Sequence, residues 1–201
     1  MESNTSSNLI YSYYEVTHPT NEALAHDCSM GIFIEKELVV AGHLWKAEWK
    51  PRWETFWGAD SNHASDPRNG ILWNRAIESA FASGRITIYE DQGTLKWYVW
   101  DPTLRSIKLA ADLMGTPENK SPATARFSDT TFGDLEAQPL YFRNEKRPFS
   151  RCLCLHAKVT KLAAIEREWP GAENYDIDSY YSGDGISRGR DTFGVGRVIW
   201  M

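Results

Sequence analysis

The alternation of apolar and polar positions predicts a helix in the middle of the chain. Apolar residues recur at helical spacing from Trp73 to Phe81, which predicts a helix over residues 73–82 with this face turned inward. The turn residues 66–70 precede it, and Ser83-Gly84 follows it as a helix stop.

Strands are predicted where β-branched and aromatic residues cluster between turn residues. The predicted strands are residues 9–16, 32–34, 38–41, 71–72, 85–89, 96–100 and 140–142. We expect the first to be an edge strand, and we expect 32–34 and 38–41 to form a hairpin-like pair. Residues 17–30 are predicted as a loop or short helical turn, and residues 115–128 as a surface loop.

The longest helical pattern lies near the C-terminus. Its apolar stripe predicts a helix over residues 150–169, with Ser150 as N-cap and Pro170-Gly171 as the stop. The Gly- and Tyr-rich tail after it is expected to be ordered only where its aromatic residues dock. The whole chain, residues 1–201, is predicted to form a single domain.

Residues 45–66 form a connection rich in tryptophan. The tryptophans recur every four residues from Trp45 to Trp57, and Pro51 interrupts the pattern, so a short helix is expected to start near Pro51. Two interpretations are open: a loop pinned by its own aromatic side chains, or an aromatic wall beside a ligand pocket.

Composition and charge narrow the classes of function. The chain carries 22 Lys and Arg against 27 Asp and Glu, a net charge of −5, which weakens the case for nonspecific nucleic-acid binding. Nine Trp and nine Tyr exceed what packing requires and suit pocket walls or interfaces. The sequence shows neither a secretory signal nor a membrane-spanning run, so a cytoplasmic location is expected. It gives no indication of oligomeric state.

Three cysteines, Cys28, Cys152 and Cys154, are expected to be free thiols in a reducing compartment. Cys152 and Cys154 form a C-x-C pair, but no second Cys or His pair stands at zinc-site spacing. We therefore interpret them as small buried residues at the start of a helix.

An ordered set of short motifs resembles the HNH nuclease domain found in many fungal proteins. The matching residues are Cys28, Ala41-Gly42-His43-Leu44-Trp45, Asn69-Gly70-Ile71-Leu72, Phe81 and the strand from Arg85. The resemblance implies an α+β fold: a ββα (HNH-like) core at residues 28–100 with added strands, and a C-terminal extension at 101–201 that contains the long helix.

The resemblance also implies roles for single residues. His43 stands at the general-base position and Asn69 at the central position, where it orients the histidine or pins the loop. Glu78, nine residues after Asn69, stands where the family has a metal-binding histidine. Gly42 stands where the wider superfamily often has an aspartate ligand, and glycine has no side chain to offer a metal. The simpler interpretations are a structural histidine, a turn asparagine and a solvated helix glutamate.

Three hypotheses follow. The first is a degenerate HNH-like fold in a fungal secondary-metabolite pathway, without cofactor or metal. It would act as a cyclase or isomerase on a small apolar molecule, with His43, Asn69 and Glu78 as catalytic groups and Trp45 and Trp73 as the substrate-binding wall.

The second hypothesis is a nuclease that depends on a divalent metal such as Mg²⁺, with His43 as base and Glu78 as ligand. It expects a positive surface that draws on Lys46, Arg68, Arg75 and Arg85. The third is a non-catalytic binding module with a Trp-rich surface. The sequence favours an enzyme that acts on a small molecule and argues against nucleic acid as a partner.

Overall fold

A computed structural model describes residues 3–45, 65–110 and 122–176, with side chains from residue 7 in the first stretch and from residue 126 in the third. The helices are α1 (Ser3–Tyr14), α2 (Arg75–Ala82), α3 (Pro122–Asp129), α4 (Phe132–Leu135) and α5 (Ser150–Glu166). The strands are β1 (Leu24–Asp27), β2 (Ile32–Glu35), β3 (Val39–His43), β4 (Gly70–Asn74), β5 (Ile86–Asp91) and β6 (Thr94–Val99). Short 3-10 turns occur at Lys36–Leu38, Pro67–Asn69 and Pro102–Leu104.

The described strands form three two-stranded antiparallel sheets, β1–β2, β3–β4 and β5–β6. Helix α2 follows β4 directly, so β3, β4 and α2 form a ββα unit. The predicted α+β class with a ββα core, added strands and a long C-terminal helix is confirmed.

The predicted pairing of residues 32–34 with 38–41 is wrong. Strand β2 pairs with β1, and β3 pairs with β4, because the 3-10 turn Lys36–Leu38 separates β2 from β3 without folding them into a hairpin. Residues 24–27, predicted as part of a loop or helical turn, are the strand β1 that β2 requires as its partner.

The predicted edge strand at residues 9–16 is also wrong, because residues 9–14 belong to helix α1 and residues 15 and 16 follow its end. Ile10 and Tyr14 lie one helical turn apart and are both buried, so the helix turns these residues into the core together. The hydroxyl of Tyr11 donates to the carbonyl of Val39, at 2.9 Å, which ties α1 to β3. Tertiary packing outweighs the β propensity of the aromatic residues here.

Two further local predictions need correction. Residues 122–129 lie in helix α3 within the predicted surface loop. Residues 140–142 form no strand, although the N–H of Leu140 donates to the carbonyl of Leu95 at 2.7 Å. The N–H of Tyr141 also donates, to the carbonyl of Cys28 at 2.8 Å, so isolated backbone bonds hold this segment where the sequence predicts a strand.

The middle of the chain follows the prediction closely. Strands β5 and β6 and the turn between them lie where the sequence places them. Helix α2 begins at Arg75, two residues later than predicted, because Trp73 and Asn74 still pair with β3. Its end is followed by Gly84 with φ of 70°, a conformation that favours glycine.

Helix α5 packs on β5 and on the end of α2. His156 is buried, its ring stacks on Phe81 with centroids 3.5 Å apart, and its Nε2 lies 2.9 Å from the carbonyl of Phe81. Its Nδ1 lies 3.1 Å from the hydroxyl of Thr87. With the Nε2–H tautomer, both contacts are hydrogen bonds, so His156 fastens α5 to α2 and β5.

The start and end of α5 differ slightly from the prediction. Phe149, not Ser150, is the N-cap and makes no side-chain capping bond, and the helix ends at Glu166 rather than 169. Cys152 and Cys154 are buried free thiols on this helix, and Cys28 is a buried free thiol in the turn after β1, as the sequence predicts.

The short helix predicted near Pro51 and most of the predicted tail lie outside the described residues. Within the described part of the chain, no helix is long and apolar enough to span a membrane.

Candidate functional site

The candidate site is built on the end of the β3–β4 hairpin. His43 is the last residue of β3 and pairs in register with Gly70, the first residue of β4. The side chain of His43 is exposed, whereas its neighbours Gly42 and Leu44 are buried. Strand alternation therefore directs this histidine away from the core.

Asn69 is buried beside that strand end and holds the backbone that follows His43. Its side-chain carbonyl accepts from the N–H of Trp45 at 2.8 Å, and its Nδ2 donates to the carbonyl of Trp45 at 3.3 Å. The N–H of Leu44 also donates to the backbone carbonyl of Asn69, at 2.9 Å. Both strand ends are thus fixed by one asparagine, which agrees with a loop-pinning role.

Glu78 lies on α2, the helix of the ββα unit, in its first turn. Its side chain is half-buried, and its carboxylate has no hydrogen-bond or ion-pair partner among the described residues. Its charge acts on His43 and raises the pKa of that histidine, so the two groups lie within electrostatic range of each other.

The net effect on His43 is nevertheless a lowered pKa. Although the side chain is exposed, protein atoms around the ring displace part of its water, which disfavours the charged imidazolium. This desolvation outweighs the opposite effect of Glu78, so the pKa lies below the usual 6.5. His43 is therefore mostly neutral at pH 7, the form that can accept a proton as a general base.

The packing around Gly42 explains why residue 42 carries no metal-binding side chain. The indole of Trp73 lies over Gly42, and a Cβ at residue 42 would come within 2.7 Å of Cε2 and Cζ2 of that ring. An aspartate at position 42 would therefore require Trp73 to move.

The two tryptophans proposed as a substrate-binding wall are both buried. Trp73 is 1% exposed and contacts Phe81 and Trp97, with ring centroids at 4.9 and 5.8 Å. Trp45 is 5% exposed and follows the backbone pinned by Asn69. Both residues belong to the hydrophobic core, and their contact with a substrate stays a prediction.

Two residues that the sequence reasoning missed support the position of α2. Asn74 is the N-cap, since its Oδ1 accepts from the N–H of Ile77 at 3.0 Å. Its Nδ2 donates to Asp27 at 3.3 Å. Asp27 is fully buried, and burial raises the pKa of its carboxyl group although several hydrogen bonds oppose the effect. An asparagine between a strand and a helical pattern is an N-cap signal that could have been used.

The same carboxyl group organises the turn after β1. It accepts from the backbone N–H and hydroxyl of Ser29 and from the N–H of Met30. Asp27 thus links β1 to the N-terminus of the helix that carries Glu78.

The predicted positive surface is only partly present among the described residues. Arg68 forms a bidentate ion pair with Asp66. Arg85 forms an ion pair with Asp101 through Nε alone, at 2.7 Å. Arg75 is exposed beside Glu78 and forms no ion pair within the described stretches. Lys46 lies outside them.

The fit of a divalent metal depends on Glu78. In the described stretches, no group of three His, Cys, Asp or Glu residues is placed to hold a metal ion. Magnesium, however, often takes one or two protein carboxylates and completes its shell with water and substrate phosphate. The half-buried carboxylate of Glu78, which has no hydrogen-bond or ion-pair partner in the described stretches, fits that donor set.

A histidine at a strand end, an asparagine that pins the following loop and a helix bearing a carboxylate form a ββα arrangement of the nuclease type. Residues 16–89 match a family model described as HNH endonuclease, which supports an HNH-family nuclease-like domain in this part of the chain. Neither the comparison with curated proteins nor that with solved structures found a match.

Proposed function

We propose that this protein is a metal-dependent nuclease, in which His43 is the general base and Glu78 a metal ligand. One arrangement carries the proposal. His43 ends β3 with an exposed side chain that is mostly neutral at pH 7, and the carboxylate of Glu78 on the neighbouring helix lies within electrostatic range of it. Among the described residues, this carboxylate has no hydrogen-bond or ion-pair partner. The family match over residues 16–89 supports the same class of activity.

The chain's own residues then have separate tasks. The imidazole of His43 takes the proton of a water molecule that attacks a phosphodiester. Asn69 holds the backbone of residues 44 and 45, and through it the end of β3, in a fixed position. Asp27 and Asn74 hold the first turn of α2 and therefore the carboxylate of Glu78. A divalent metal bound there would polarise a phosphate oxygen and stabilise the leaving alkoxide.

The alternative of a small apolar substrate lacks this support. A cyclase or isomerase would hold the reacting groups in an enclosed apolar pocket. His43 is exposed, and Trp73 fills core space against Gly42, Phe81 and Trp97. A Trp-rich docking surface has no support from Trp45 or Trp73 either, because both are buried.

The test is cleavage of supercoiled plasmid and of labelled single- and double-stranded DNA and RNA, in Mg²⁺ or Mn²⁺ and in EDTA. We expect metal-dependent cleavage that falls about 100-fold or more in His43→Ala, the usual scale for losing a general base. Glu78→Gln should require more metal for half-maximal rate. His18→Ala, a histidine in the loop before β1, is the matched control and should cleave like the wild type.

Two results would overturn the proposal. One is the absence of metal-dependent cleavage for every substrate and metal. The other is cleavage that persists unchanged in His43→Ala, since that activity would not use this site.

A further inference from the structure

Three cations lie together in the loop that leads into α5. Arg143, Lys146 and Arg147 are all exposed, and none of them forms an ion pair with another described residue. We call these three residues the basic ridge. Elsewhere in the described chain, ion pairs neutralise Arg68, Arg85, Lys96, Arg105 and Lys108. The basic ridge is thus a local excess of positive charge on a chain whose net charge is −5.

Aromatic rings hold each member of the basic ridge in place. Arg143 lies over Phe33 at 5.1 Å, Lys146 over Tyr13 at 4.8 Å and Arg147 over Phe142 at 4.7 Å. Side chains that are ordered before binding lose less conformational entropy when they bind a ligand. These rings therefore prepare the three cations to bind an anion.

The two arginines keep donors available. Arg143 uses Nη1 to bond the carbonyls of Glu15 and Thr17, at 3.1 and 3.2 Å. Arg147 uses Nη1 to bond the carbonyls of Asn144 and Lys146, at 2.6 and 2.8 Å. Within the described structure, Nε and Nη2 of both guanidinium groups make no other hydrogen bond, and these donors match the oxygens of a phosphate.

The basic ridge lies close to the candidate site. The N–H of Phe149, two residues after Arg147, donates to the carbonyl of Arg68 at 3.0 Å. Arg68 is two residues before Gly70, the register partner of His43. Steps of about 3.8 Å per residue and about 5 Å per hydrogen-bonded pair place Arg147 within roughly 25 Å of His43. One strand of a duplex carries about seven phosphates over that length.

We infer that the basic ridge binds the phosphate backbone of a nucleic acid that extends past His43. The inference rests on the proposed function for its choice of partner. An anionic membrane would also attract these charges, but the residues between the cations, Asn144 and Glu145, are polar and supply no apolar anchor. Among the described residues, neither Glu15 nor Glu145 forms an ion pair with the basic ridge.

The test measures binding without cleavage. Fluorescence anisotropy of a labelled 20-base-pair duplex is recorded in EDTA at 50 mM and at higher salt, with wild-type protein and the triple variant Arg143→Gln/Lys146→Gln/Arg147→Gln. We expect the triple variant to bind at least 10-fold more weakly and the slope of log K against log salt to fall by about 2–3, since each phosphate contact contributes about 0.9.

A matched variant, Lys108→Gln/Lys158→Gln/Arg167→Gln, removes the same net charge from other surfaces and should lose less than 3-fold. Lys146→Glu is a milder change, because the interactions of Lys146 with other described residues are the contact with the Tyr13 ring and backbone bonds within its own loop. It should weaken binding about 3- to 10-fold. Circular dichroism tests whether each variant is folded. If the triple variant does not fold, the binding measured for Lys146→Glu decides the result.

The outcomes separate this inference from the proposed function. Specific loss of binding in the basic-ridge variants, with no cleavage by any protein, supports the basic ridge and overturns the nuclease. Cleavage by the wild type, with equal binding by basic-ridge and control variants, overturns the basic ridge alone. Binding to vesicles with anionic lipid but not to the duplex also overturns it.

Discussion

The side-chain amide of Asn69 bonds both the N–H and the carbonyl of Trp45, at 2.8 and 3.3 Å. One buried residue just before β4 therefore fixes the backbone just after β3, and His43 is placed at that end of the hairpin. The two side-chain hydrogen bonds that Asn69 makes to described residues go to the backbone of Trp45. The asparagine therefore holds the loop after His43.

Replacing Asn69 should therefore loosen the loop. Asn69→Ala leaves two backbone groups of Trp45 without their partner, and we expect a loss of about 1–3 kcal/mol in the free energy of unfolding. Asn69→Asp keeps the acceptor for the Trp45 N–H but sets a buried carboxylate oxygen against the Trp45 carbonyl, so it should cost at least as much. Urea denaturation measures both variants, and equal stability of Asn69→Ala and wild type would contradict the role assigned to this amide.

Gly42 and Trp73 should be energetically coupled. Gly42→Asp would place a Cβ and a carboxylate against the indole, so we expect a loss of about 2–4 kcal/mol and no gain in metal binding. Trp73→Phe removes the overlapping part of the ring but leaves a cavity. In a double-mutant cycle, Gly42→Asp should cost less in the Trp73→Phe background than in the wild type. Additive costs would show that the contact is unimportant.

His43 should titrate below the usual histidine value. Burial lowers its pKa below 6.5 and Glu78 raises it, so removing the charge with Glu78→Gln should lower the pKa further. Titration of the His43 Hε1 signal by NMR measures this without any substrate. If the nuclease proposal holds, the acidic limb of the rate profile lies below pH 6.5 and moves to lower pH in that variant. An unchanged or higher His43 pKa in Glu78→Gln would contradict the placement of the two groups.

His26 should make stability depend on pH. It is 6% exposed, and its Nδ1 has no hydrogen-bond partner among the described residues. Burial, helped by the charge of Arg143, lowers its pKa from 6.5 to about 4. Below pH 6.5 the unfolded chain takes up this proton before the folded chain does, so stability falls as the pH falls from 6.5 to 4.

The expected loss over that range is at most about 3 kcal/mol, reduced by whatever solvent reaches the ring. His26→Phe should flatten the curve between pH 6.5 and 4, whereas His18→Phe should leave its shape unchanged. Denaturant midpoints at a series of pH values provide the measurement. Parallel curves for wild type and His26→Phe would show that His26 does not contribute.

His156 should couple α5 to the rest of the fold. His156→Leu removes its contacts with the Phe81 carbonyl and the Thr87 hydroxyl, and we expect a loss of about 1–3 kcal/mol. Thr87→Val removes one partner, so the two changes together should cost less than the sum of the single changes. Thermal or urea unfolding of His156→Leu, Thr87→Val and the double variant measures the three losses. Strictly additive losses would argue against the hydrogen bond between Thr87 and His156.

The sequence predicted the parts whose pattern is local. The ββα unit depends on short runs with clear spacing, and residues 69–99 follow the prediction to within two residues at each boundary. The proposed site residues His43, Asn69 and Glu78 are also brought to one hairpin and its helix. Their catalytic roles stay predictions.

The errors arose where tertiary contacts decide the structure. Aromatic residues at 9–16 have β propensity, but burial of Ile10 and Tyr14 on one face favours a helix. The pairing of β3 with β4 spans the tryptophan-rich connection, so no local turn pattern indicates it. Asp27 could not be linked to Asn74 from the sequence, because 47 positions separate the bonded side chains.

The contacts of His156 with Phe81 and Thr87 decide whether a shorter piece of the chain can fold. The family match ends at residue 89, yet the ring that covers Phe81 belongs to α5, and Trp97 on β6 covers Trp73. A fragment cut at residue 89 would expose these aromatic faces to water and lose the strand that pairs with β5. The amides of α2 and α5 should therefore exchange their protons with solvent in one shared opening event, and the matched segment should not fold in isolation.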